Sequence, residues 1–218
     1  MKYLLVFFTA SVLITSCLEE CPNEVSRDLT QTDLDWFACE PHDTTFYKDA
    51  ESGEIYYLVC ESCETGEVRH FVDDHYCENE GYYRIRKYID SEYNTNLPHY
   101  LNDLTKINMH FETLGQDYSV VDIWFEGLRE STFSYILGFL FKPGGESLEE
   151  VGDRRISEII HKERIVIDGK DYFNVYILVA FTWNDEHSNA YYDTLYYNRV
   201  GFLKFISSQY GYRLERME

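Results

Sequence analysis

LTKINMHFETLGQDYSVVDIWFEG, residues 104–127, decides the fold. Ile107, Met109 and Phe111 fall on one side of an extended chain, and Asn108, His110 and Glu112 fall on the other. That period of two marks a half-buried strand, apolar inward and polar outward. Gly115-Gln116-Asp117 carries turn chemistry, residues 119–125 resume as a second strand, and Gly127 ends it.

The same signals recur on both sides of this hairpin. Residues 44–48 and 55–60 flank a turn-rich loop at 49–53, and 67–72 follow a second predicted turn at Glu64-Thr65-Gly66. Residues 82–89 alternate bulky and basic side chains, and Phe133, Tyr135, Leu137, Phe139 and Phe141 share one face of residues 131–141. Residues 164–167 and 172–182 surround Asp168-Gly169, a pair that tolerates the positive φ of a tight hairpin. Strands at 194–197, 202–207 and 212–215 close the chain. No heptad or long helical stripe appears, and a short helix is placed near 96–104 or 148–160. The expected class is all-β, an antiparallel sandwich or incomplete (half) barrel with at most one short helix. The 20 tyrosines fit it, each offering a large apolar body to a sheet face and a hydroxyl to water.

Nineteen basic residues stand against 39 acidic ones, a formal charge of −20. Nucleic acid is therefore not an expected partner, because phosphate contacts need clustered Lys and Arg. At the N-terminus Lys2 precedes an apolar-to-neutral run, LLVFFTASVLI at 4–14. At about 1.5 Å per residue it reaches only half of a ~30 Å hydrocarbon core, so it reads as the h-region of a signal peptide. The run ends in Ile14-Thr15-Ser16-Cys17, which resembles the lipobox of bacterial lipoproteins. The resemblance implies cleavage before Cys17, acylation of that cysteine by palmitate-class chains, and anchoring to the membrane, where more than one chain is needed for stable attachment. Leu18, rather than Asp, follows Cys17, which in that family implies the outer membrane; Glu19 and Glu20 resemble the acidic tether of surface-displayed lipoproteins of Bacteroidetes. Either the periplasmic face or the cell surface is open. The organisation expected is a signal peptide over 1–16, a lipidated cysteine and polar tether over 17–32, and one β-rich domain over 33–218.

Near the C-terminus the chain carries Gly169-x-x-Tyr172-x-x-Val175, then Tyr196-Tyr197-x-x-Val200-Gly201-Phe202-Leu203-x-Phe205, then Tyr212-x-Leu214. This is similar to the C-terminal end of many uncharacterised β-rich lipoproteins of Bacteroidetes, with Tyr212 where a Trp is usual. The resemblance is one of packing, and it implies a β-rich exported lipoprotein without an assigned activity.

Five further cysteines, Cys21, Cys39, Cys60, Cys63 and Cys77, cluster in the first third of the chain. In an oxidising compartment they read as two disulfides and an odd thiol, and sequence does not select the pairs. Cys39, Cys60, Cys63 and Cys77 are the disulfide candidates, with Cys21 left in the tether. A weaker reading is zinc: Cys39-x-x-His42 and Cys60-x-x-Cys63 have nearly the spacing of a zinc ribbon, and His75 and Cys77 lie nearby. A redox pair at Cys60 and Cys63 requires a helix to start there, whereas the following residues turn into a strand. Reduced or intermolecular cysteines complete the alternatives.

No nucleophile elbow, Walker loop, dinucleotide fingerprint or His-Glu-x-x-His motif occurs, so no catalytic residue and no cofactor is assigned. Acidic pairs such as Asp73-Asp74, Glu149-Glu150 and Asp185-Glu186 read as solvated charge, and Asp185-Glu186-His187 as a polar loop that lacks the spaced oxygens of a calcium site. Tyr82/Tyr83, Tyr191/Tyr192 and Tyr196/Tyr197 each offer at most one ring to a given sheet face. The function expected is a lipid-anchored, non-enzymatic binding or scaffolding domain with a protein or glycan ligand. The alternatives are a half-barrel carrier of acyl chains, as the periplasmic lipoprotein carriers are, or an exported hydrolase of glycans.

Overall fold

Alternating side chains are realised as antiparallel strands, the short β1 excepted. The computed structural model describes residues 23–71, 83–98, 104–116, 118–127, 135–142, 147–150, 156–180, 194–208 and 211–217. Its strands are β1 Glu24–Val25, β2 Thr44–Asp49, β3 Ile55–Phe71, β4 Tyr83–Thr95, β5 Leu104–Leu114, β6 Tyr118–Gly127 and β7 Tyr135–Lys142. They continue with β8 Ser147–Glu150, β9 Ile156–Ile167, β10 Lys170–Ala180, β11 Thr194–Asn198, β12 Gly201–Ser207 and β13 Tyr212–Arg216. One helix, α1 Gln31–Phe37, lies between β1 and β2. The strands form a single sheet in the order β8-β7-β6-β5-β4-β3-β2-β13-β12-β11-β10-β9. β1 pairs in parallel with β4 at Arg84 and Ile85, beyond the residues of β4 that pair with β5.

The sheet curls, and α1 lies in its concave side. Trp36 meets the rings of Tyr176 on β10 and Tyr197 on β11, while Phe37 stacks on Phe111 of β5 at 4.7 Å between centroids. Strands from the two ends of the sheet thus meet across one helix, and the edge strands β8 and β9 approach each other. This is an antiparallel half-barrel. Ile89, Ile107, Phe111, Val121, Ile123, Phe125, Leu178, Leu195 and Phe205 line the concave face at 0 % exposure. Each contributes roughly 1.5–3 kcal/mol by leaving water.

Polar contacts fix the helix in place. Asp33 is fully buried and accepts from Arg27 Nη1 at 2.5 Å and Nη2 at 2.9 Å. It also accepts from the Thr30 amide, which completes a capping box. Arg27 reaches on to Ser119 Oγ of β6, Ser91 Oγ of β4 donates to Phe37 O, and the Tyr197 hydroxyl donates to Trp36 O. Disulfide Cys39–Cys60, with Cα atoms 6.2 Å apart, ties the residues after α1 to β3.

Several expectations are corrected here. A helix forms at 31–37, where none was expected; of the two ranges that were expected to hold one, residues 148–150 and 156–160 belong to strands β8 and β9, while 99–103 and 151–155 lie outside the described residues. Residues 23–32, read from their polarity as tether, belong to the fold, because Arg27 and Asp33 satisfy each other inside it. The turn at 64–66 does not form: β3 runs straight through Gly66, where the ring of Tyr88 takes the space a side chain would need. The Asp168-Gly169 hairpin is present, with φ of 47° and 79° at its two central residues.

A second cluster, Ile167, Tyr172, Val175 and Leu203, lies outside the first. Tyr172 and Val175 share it although three apart, and Asn174 between them takes φ 51° while the register of β10 on β9 stays the same on either side. Beyond Asn174, Tyr176 and Leu178 return to the concave core.

Candidate functional site on the convex face

Since the concave positions of β4–β6 are filled, the alternate positions build the convex face, and register puts them in rows together with β3. Ser62, Glu92, Asn108 and Trp124 form one row across the four strands. Glu64, Asp90, His110 and Asp122 form the next, and Gly66, Tyr88, Glu112 and Val120 the third. Strands ~4.8 Å apart and residues ~3.4 Å apart make this a face about 14 Å square.

Its rings lie along a diagonal. A Cβ placed on Gly66 would stand 2.6 Å from Tyr88 Oη and 2.7 Å from Cζ, so the Tyr88 ring lies across the backbone of β3. The His110 ring is 6.2 Å from it with an interplanar angle of 23°, and Trp124 is a further 6.3 Å away at 39°. The Tyr88 ring thus lies over the sheet with the His110 ring tilted only 23° from it, and a depression of about 400 Å³ opens beside His110 and Trp124. Glu64, Asp90, Glu92, Asn108, His110 and Trp124 bound it.

The acids of this face are mostly committed. His110 Nδ1 lies 2.5 Å from Asp90 Oδ1, Lys106 Nζ pairs with Glu92, and Glu112 holds both His70 Nε2 at 2.6 Å and Arg86 Nη1 at 3.1 Å. The hydrogen bond to Asp90 raises the His110 pKa above that of a free imidazole, against the opposing effect of burial, with Glu112 and Asp122 adding to the rise. His110 and Asp90 resemble the base and orienting acid of a hydrolytic triad, but the nearest serine on this face, Ser62, is one row and two strands away. That is about 12 Å by sheet spacing, beyond reach of the imidazole. What the face offers is hydrogen-bond donors and acceptors of both signs around half-buried rings.

The residues singled out from sequence fall elsewhere. Cys39 and Cys60 are joined, which commits two of the three sulfurs that a zinc ribbon would use as thiolates. Cys63 is half-buried as a free thiol beside Ser91 Oγ, and His42 sits exposed in the turn before β2 with φ 74°. No group of three or more His, Cys, Asp and Glu able to hold a metal forms among the described residues. Cys60 and Cys63 lie on a strand, not at a helix start. Of the tyrosine pairs, Tyr197 is buried against α1 while Tyr196 faces the second cluster, so the two do point to opposite faces. Cys17, Cys21, Cys77, His75, Asp73-Asp74, the loop 185–187, Tyr82 and Tyr191/Tyr192 lie outside the described residues.

The convex site was missed because its signal crosses strands. Tyr88, His110 and Trp124 each occupy an outward position, and only the registers of three adjacent strands bring them together. No family model, curated protein or solved structure matches the chain.

Proposed function

We propose that the protein is an exported, lipid-anchored β domain of the outer membrane that binds a ligand without transforming it. The observation that carries the anchor is the sequence Ile14-Thr15-Ser16-Cys17 directly after an apolar run too short to cross a bilayer. The fold is compatible: a stiff sheet, filled on its concave side, carries ordered aromatic and polar groups on the other. Metabolic labelling with an alkyne analogue of palmitate tests the anchor. Label is expected in the wild-type chain and absent in Cys17→Ala, and globomycin should accumulate a larger precursor; labelling retained in Cys17→Ala would refute it.

A second reading, an acyl-chain carrier, draws on the apolar concave face. The space there beside Trp36, Tyr47, Tyr93, Tyr197 and Phe202 is about 250 Å³. This lies just below the usual ~300–1,000 Å³ of small-molecule pockets, so a full acyl chain would require α1 to swing out. A variant that staples α1 more tightly and yet binds a fluorescent fatty acid unchanged would remove this reading.

A further inference from the structure

We infer that the ring diagonal Tyr88–His110–Trp124 and the polar groups beside it form a saccharide-binding platform whose ligand is a short, neutral oligosaccharide. The inference rests on the binding reading above and names its ligand class.

Three features select that chemistry. The first is the attitude of the rings. A sugar ring presents a patch of C–H groups on one face, and it is recognised by an aromatic ring lying flat enough to receive that face. Tyr88 lies along the sheet because residue 66 is glycine, and His110 and Trp124 follow within 23° and 39° of their neighbours. Gly66 thus shapes the site without touching a ligand.

The second is the polar set. Hydroxyl groups both donate and accept, so they need partners of both kinds. Glu64, Asp90 and Glu92 accept, Lys106 donates, and the Asn108 amide does both. Lys106 partners Glu92 and His110 partners Asp90, which engages two of the acids that bound the depression. Carboxylates held in such pairs stand as oriented hydrogen-bond acceptors, which suits the hydroxyl groups of a neutral polyol.

The third is preorganisation. Beneath the platform, Ile89, Ile107, Met109, Phe111, Val121 and Ile123 are at most 2 % exposed, which holds β4, β5 and β6 rigid. The rows are set by backbone registers rather than by loops, so little ordering has to accompany binding.

Affinity electrophoresis of the full-length chain in detergent tests the assignment. The gels would contain starch, arabinoxylan, glucomannan or mixed-linkage β-glucan. At least one polymer should retard the wild type, equally at 50 mM and 500 mM NaCl. Trp124→Ala and Tyr88→Ala should each weaken that retardation at least tenfold, and Gly66→Ala, which displaces the Tyr88 ring, should weaken it without removing an aromatic group. Asn108→Ala, a smaller change, guards against loss of fold, and Phe173→Ala, exposed on β10, should bind as the wild type does. Retardation by none of the four polymers overturns the saccharide assignment, as does retardation that survives both ring substitutions. Retardation abolished by salt also overturns it and points to a charged ligand at the same face. None of these failures touches the palmitate-labelling result on which the anchor stands.

Discussion

Replacing Asp33 by Ala should release α1 from the half-barrel. Asp33 is 0 % exposed and takes both terminal nitrogens of Arg27, together with the Thr30 amide and hydroxyl. Its loss strands a guanidinium whose side chain is only 10 % exposed and whose Nε already has no acceptor among the described residues. It also uncaps the helix. Breaking a buried pair from one side costs about 3–5 kcal/mol, because the remaining charge is left desolvated and alone. For a chain of this size each kcal/mol lowers Tm by roughly 2–4 °C, so a fall of about 6–20 °C is expected by differential scanning calorimetry. The double replacement Arg27→Met with Asp33→Leu removes both charges and should recover most of that loss. A fall in Asp33→Ala corresponding to less than about 1 kcal/mol would refute the reasoning, as would a double variant no better than the single one.

Three further outcomes are expected. Cys39→Ser with Cys60→Ser opens a bridge of sequence separation 21 and should lower stability by about 3 kcal/mol in urea under oxidising conditions, with no difference from wild type under full reduction. His110→Gln should destabilise most below pH ~6.5. The folded His110 pKa lies above the free value through Asp90, with Glu112 and Asp122 also facing the ring, so the stabilisation is full at low pH and fades as pH rises through the folded pKa. A difference that grows with pH in urea titrations would contradict that sign. Phe37→Ala should cost about 3–5 kcal/mol, since the ring stacks between Phe111 and Tyr197 at 1 % exposure; a loss under 1 kcal/mol would mean α1 is not part of the core.

The strands were legible because period two is imposed locally by burial on one face. Ile107, Met109 and Phe111 are inside as their spacing requires, and Asp168-Gly169 turns where its backbone freedom allows. Gly66 was misread because glycine serves both turns and close approaches, and only Tyr88, on another strand, distinguishes them. The helix was hidden because its seven residues bury Trp36 and Phe37 from the last turn alone, too short a span to show a 3.6-residue period. Cysteine pairing depends on which strand passes the end of α1, a tertiary fact absent from spacing. The convex platform is likewise a product of register between β3, β4, β5 and β6.

Hydroxyl-radical footprinting with and without the retaining polysaccharide tests the convex face most directly. Protection is expected at Tyr88, His110 and Trp124, with Trp36 and Tyr197 oxidised equally in both samples. Protection at the concave mouth around Trp36, Tyr93 and Phe202, or none at Tyr88 and Trp124, would contradict the account.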